Sequence, residues 1–314
     1  MKKIAPPKSV THPISSKIIA GLRKTAGRKV VDISELRDAK INAENLDKTV
    51  ITEKQLSRLD PLHGVYVYAQ NKLSVIIEQL SDLPTLSKLT DAYTNAEDTY
   101  MPSGPPTSPL TKSYFTCWGF FDLCVGLKKE TFVTIAIDVC RFLKADTELI
   151  TIFEHMQKSR MGFYVHEGIS GKFVNLREII TQEKIQVIVP SGYLGEPGEI
   201  WFARLMPEPF PQLNYGYSVV FITPYIITEI QNNSLIFASE EKWEAFFKRS
   251  REKTKIEDKK RSYEFLMKYG LNRHYWNEYI IEAYISNSND MILLTGFPDI
   301  PLSMPHSREN SDRY

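Results

Sequence analysis

The hydrophobic period of this chain changes near residue 162 and again after Thr223-Pro224, and the first of these changes limits the folds open to it. Before it, apolar residues return every three or four positions, as in Leu62, Tyr66, Ala69, Leu73, Ile76, Ile77 and Leu80, and again in Leu149, Ile152, Phe153 and Met156. That spacing lines one face of a helix. Beyond it the period is two, and short strands are predicted at 163–166, 172–176, 184–189, 198–206 and 217–223, with turn residues between them. Helices and strands are therefore segregated along the chain, which predicts an α+β class. A helical N-terminal half should precede a small antiparallel β-meander or partly open barrel over about 163–223, flanked by C-terminal helices.

Local signals refine this reading. Asp60-Pro61 and Asp146 are good helix starts, and Ser239 followed by Glu240 and Glu241 is a third. The helix begun at Asp146 should close at Gly162 or already at Ser159-Arg160. Residues 132–143 fit a helix and a strand equally well. In 198–206, Trp201, Ala203 and Leu205 share one face while Ile200, Phe202 and Arg204 share the other, so this strand should be central and covered on both sides. Trp201, Phe221, Leu73 and Phe153 are expected in the core. After Thr223-Pro224 the chain is read as helical, with Met291 to Thr295 as a last edge strand.

Charge and punctuation divide the chain further. Its 314 residues carry a net charge of +1, yet residues 1–29 hold eight lysines and arginines and no acid. With Pro6, Pro7 and Pro13, residues 1–30 read as a flexible basic arm. A helical region (31–100), a proline-rich linker (101–112), an α+β domain with the antiparallel sheet (113–300) and a disordered tail (301–314) follow. Cys117, Cys124 and Cys140 cannot form a disulfide framework, so a reducing, cytoplasmic compartment is expected. No apolar run reaches 18 residues and the N-terminus has no signal-peptide core, so no membrane association is expected.

No phosphate-binding glycine loop, dinucleotide fingerprint, metalloprotease helix or nucleophile elbow occurs. The six histidines share no ligand spacing, so neither a metal nor another cofactor is expected. The densest polar cluster runs from Ser159 to Gly168. Ser159, His166 and Glu167 are its candidate nucleophile, base and orienting acid, although adjacent strand residues point to opposite faces. Arg160 and Arg204 are candidate anion ligands. A guanidinium in an otherwise apolar strand needs a carboxylate or an anion, and Glu199, Glu178 and Asp138 are the acids considered for Arg204. Ser191, Gly192 and Tyr193 lie in a glycine-rich loop of the kind that binds ligands.

Three function classes remain. The first is a non-catalytic binding or regulatory protein with a protein partner, suggested by the missing catalytic signatures and the 36 aromatic residues. The second is a hydrolase or transferase centred on Arg160, His166 and Arg204. The third is a sequence-nonspecific nucleic-acid binder using residues 1–29 and 242–261, the latter with nine cations against four acids.

Overall fold

The computed structural model describes residues 12–26, 41, 50–101, 103–104, 110–231, 234–237, 239–270 and 292–295. Residues 1–11 and 27–30 of the expected arm, half of the proline-rich linker and the C-terminal tail lie outside them. Among the described residues the α-helices α1 (Pro13–Ala26), the single turn α2 (Glu53–Leu56), α3 (Pro61–Ser81), α4 (Ser87–Tyr100), α5 (Lys112–Phe121), α6 (Phe132–Phe142) and α7 (Thr147–Lys158) come first. Strands β1 (Met161–Ser170), β2 (Phe173–Glu178), β3 (Lys184–Ile188), β4 (Ile200–Met206), β5 (Ser218–Val220), β6 (Tyr225–Gln231) and β7 (Ser234–Phe237) follow. Helices α8 (Glu240–Thr254) and α9 (Lys259–Tyr269) and strand β8 (Ile292–Thr295) come last.

The helix starts behave as their residue types require. Asp60 accepts the Leu62 amide at 3.1 Å, Asp146 accepts the Glu148 amide at 2.7 Å, and Ser239 accepts from Lys242. Helix α7 closes at Ser159, and Gly162 already belongs to β1. The ambiguous segment is helical over 132–142 and buries Phe132, Val133, Ile135, Ala136, Ile137, Val139 and Cys140, whereas Leu143 just past its end is exposed.

Part of the expected arm is ordered as α1. Ile14, Ile18 and Leu22, four residues apart, turn toward the core, and the amides of Ile14 and Ser15 donate to the buried carboxylate of Glu130 at 2.9 and 3.1 Å. A buried acid thus satisfies the free N–H groups at the start of a helix whose own first turn has no acid.

Strands β1–β5 close into a barrel in the order β1-β2-β3-β5-β4, with β4 returning to β1. Four of these pairings are antiparallel, but Val187 and Ile188 of β3 run parallel to Ser218 and Val219 of β5. The sheet is therefore mixed rather than purely antiparallel, and it closes fully. One edge of β4 pairs with β5 through Leu205 and Met206 and with β6 through Ile200 to Phe202. Thr223-Pro224 lies between these two partners and marks where the chain leaves the barrel. After Pro224 the chain is not helical as expected: residues 225–231 and 234–237 pair as antiparallel strands, and β8 pairs with β6.

Alternation along the strands separates two cores. Tyr164, Val174, Leu176, Val187, Trp201, Ala203, Leu205 and Val220 fill the barrel. Gly162 is needed there, because a Cβ at that position would overlap the Tyr164 phenol oxygen. The other face of β1 and β4 joins the helical layer, where the Phe163 ring lies 4.4 Å from that of Trp243 and 4.8 Å from that of Phe202. Strand β4 is buried along its whole length, as its two apolar faces require.

Candidate functional site

Arg204 leaves the outer face of β4 and enters the helical layer, where it is 1% exposed. One guanidinium nitrogen pairs with Asp122 at the end of α5, and the other donates to the carbonyl and hydroxyl oxygens of Ser159, each at 3.0 Å. Lys268 of α9 enters the same cluster and donates to Asp122 at 2.9 Å and to the Ser159 carbonyl at 2.8 Å. Two buried cations thus share one carboxylate, and the Arg204 Nε has no hydrogen-bond partner. The partner of Arg204 is Asp122, not Glu199, Glu178 or Asp138.

Burial lowers the Lys268 ammonium to about 8; nearby Arg204 adds to this, and Asp122 opposes it. An unfolded lysine titrates near 10.4. Between these values the folded protein binds fewer protons, so this group adds stability as pH rises from about 8 and its burial penalty is fully present below 8. Lys268→Met should remove that dependence. The stability difference between variant and wild type, from urea titrations at pH 7 and pH 10, should shrink by on the order of 3 kcal/mol.

Two further polar clusters close the barrel at its ends. Near the start of β1, Arg160 binds Glu178 through both carboxylate oxygens at 2.6 and 3.1 Å, and Thr181 donates to Glu178 at 2.6 Å. The Tyr263 ring lies 4.9 Å beneath the Arg160 guanidinium. Burial works against the Arg160 charge, but Glu178 outweighs it and holds the group above its ordinary range. Burial and Glu178 together push Tyr164 up.

At the opposite end, His166 Nε2 meets the Leu194 carbonyl at 2.9 Å and Nδ1 accepts the Gly168 amide at 3.1 Å. A carbonyl only accepts and a backbone amide only donates, so the pair requires the Nε2–H tautomer. Glu199 accepts from the Tyr193 hydroxyl and the Trp201 indole, each at 2.7 Å. The glycine-rich loop lies over this mouth. Gly195 has a φ of +66°, and a side chain there would overlap Glu199 and Trp201.

The structure does not bring the candidate triad together. Ser159 and His166 are seven residues apart on an extended run, roughly 20 Å. Ser159 donates to Met156 and accepts from Arg204, while Glu167 is on the outer surface with Arg177 at 2.7 Å and Lys184 at 3.0 Å. Arg160 and Arg204 sit in separate clusters, each already holding a carboxylate. Of the loop residues, Tyr193 is tied to Glu199, whereas Ser191 accepts only a long 3.5 Å bond from the Tyr193 amide and Gly192 adopts a φ of +81°. Among the described residues no three metal-ligating side chains gather, and no helix is long and apolar enough to cross a membrane.

An open apolar concavity lies elsewhere. A groove of about 400 Å³ runs between α3, α7 and the segment after β4. Val65, Tyr68, Leu149, Ile152, Phe210 and Leu213 form its walls, with Asp146, Glu148 and Gln212 beside them. Tyr68 is 37% and Leu213 47% exposed, so large apolar groups remain in water along it. Comparison with family models, curated proteins and solved structures finds no match. The groove was not legible in the sequence, since its walls come from three distant segments. Asp122 carried one signal, an acid ending the aromatic run Tyr114 to Phe121; Lys268 carried none beyond its place beside the inward-facing Met267.

Proposed function

We propose that this protein is a non-catalytic binding or regulatory protein, and that its groove takes a segment of a partner protein. The observation that carries this reading is where its polar groups are spent. The hydroxyl of Ser159, both ring nitrogens of His166 and the carboxylates facing Arg160 and Arg204 are engaged with one another or with the backbone, whereas the groove between α3 and α7 is walled mainly by apolar side chains. In this reading the helical N-terminal half supplies two walls of the groove and the barrel is the frame that holds the third. Glu148 is exposed and Asp146 caps α7 beside it, so a partner segment with one aliphatic or aromatic anchor and a lysine or arginine next to it matches the site in shape and charge.

Selection of a random 12-residue peptide library on the full chain tests this. Enriched peptides should carry an apolar anchor flanked by a basic residue, and should bind Leu213→Asp about tenfold more weakly by fluorescence anisotropy. Leu213 is exposed, so the substitution leaves the fold intact. Failure to enrich any peptide, or equal binding to the variant, overturns the reading.

A further inference from the structure

The outer face of α8 and α9 lies apart from the groove and carries a second, independent signal. Residues 242–261 hold nine cations and four acids, a net of +5. The whole chain is +1 and residues 1–29 are +8, so all the remaining residues together come to −12. Over the whole helix pair, residues 240–269, ten cations and seven acids sum to +3, with the excess in 248–261.

Seven of the nine cations in 242–261 have no ion-pair partner among the described residues. Lys260 pairs with Glu183 at 3.3 Å, but Lys248, Arg249, Arg251, Lys253, Lys255, Lys259 and Arg261 form no ion pair among the described residues. The Nε of Arg251 is buried without a hydrogen-bond partner beside a concavity that Lys248, Lys255, Glu252 and Glu257 also line. Lys259, Lys260 and Arg261 occupy the first turn of α9, where the one acid is the capping Asp258, whose carboxylate accepts the Arg261 amide at 2.6 Å. That is the positive end of the helix dipole, where cations are disfavoured.

We propose that this face binds the phosphate backbone of double-stranded nucleic acid. Two observations favour that over other anionic partners. None of the exposed large apolar side chains among the described residues lies in α8 or α9, whereas a protein interface needs an apolar centre. The aromatic residues of these helices also offer no stacking platform for a single strand. Trp243, Phe247 and Tyr263 are buried, the half-buried Phe246 packs edge to face with Trp243 and Phe247, and Lys129 lies over the rings of Phe265 and Tyr269 at 4.3 and 3.8 Å. What remains is a spread of free cations facing outward, which fits a regular array of phosphates and reads no base edge.

The test is a filter-binding titration of the full chain against 20-base-pair DNA and RNA duplexes and the matching single strands, at 50 and 200 mM salt. At least one duplex should bind, more tightly than its single strands, with affinity falling at least tenfold over that range. The combined variant Lys248→Gln, Arg249→Gln, Lys259→Gln, Arg261→Gln changes only exposed positions and should retain its thermal midpoint. It should bind at least tenfold more weakly with a shallower salt slope. A second variant with Lys2, Lys3, Lys8 and Lys17 changed to glutamine should lose less. The DNA and RNA arms show which duplex is preferred. No duplex binding at 50 mM salt, tighter binding of single strands, or an effect confined to the second variant overturns the proposal.

Discussion

Asp122→Ala should be the most damaging single substitution at the polar clusters. It strips one carboxylate from two buried cations at once, leaving Arg204 and Lys268 facing each other across the Ser159 carbonyl. Breaking a buried ion pair by removing one partner costs about 3–5 kcal/mol, and here two charges are left bare. A typical domain has only about 5–15 kcal/mol in total, so the variant should be partly unfolded or lose most of its urea resistance. Arg204→Met should cost less, because Asp122 keeps Lys268. Lys268→Met introduced into the Asp122→Ala background should recover part of the loss. Urea midpoints read by circular dichroism check this, and a loss below about 1 kcal/mol for Asp122→Ala would contradict the account.

Glu178→Ala should be nearly as costly. Glu178 is 2% exposed and accepts two bonds from Arg160 and one from Thr181 at the edge of the barrel interior. Without it the guanidinium is held between the Tyr263 ring and the apolar filling of the barrel. The expected loss is about 3–5 kcal/mol. Replacing both partners, Arg160→Met with Glu178→Met, should cost far less than Glu178→Ala alone, because no charge is then left buried. Additive losses in the double variant would show that the two residues act independently.

What the sequence carried was its periodicity. The two-faced reading of 200–206 and the need of Arg204 for a carboxylate follow from alternation alone, and both hold. Trp201, Leu73 and Phe153 are fully buried, whereas Phe221 is half-buried beside the exit from the barrel. The strand pair after Pro224 was obscured because Tyr225-Ile226-Ile227 is apolar on both faces, a pattern that a buried helix shares. Helix α1 was hidden by its flanking prolines and lysines, since what holds it is Glu130, more than 100 residues away. Asp122 and Arg204 are 82 residues apart, and nothing local in the sequence pairs them. Long-range partners of this kind decide the polar clusters, so residue types that suggest a catalytic site from Ser159 to Glu167 resolve into separate braces.

The central claim is that this chain binds through its surface and not through those buried polar groups. A protein-observed NMR screen with small apolar, cationic and anionic fragments tests it directly, with the Trp201 indole N–H as reporter of the barrel mouth. Apolar and cationic fragments should shift the amides of residues 146–152 and 210–215 and leave the Trp201 indole and His166 signals in place. Fragments that move the Trp201 and His166 signals while the groove stays silent would contradict it.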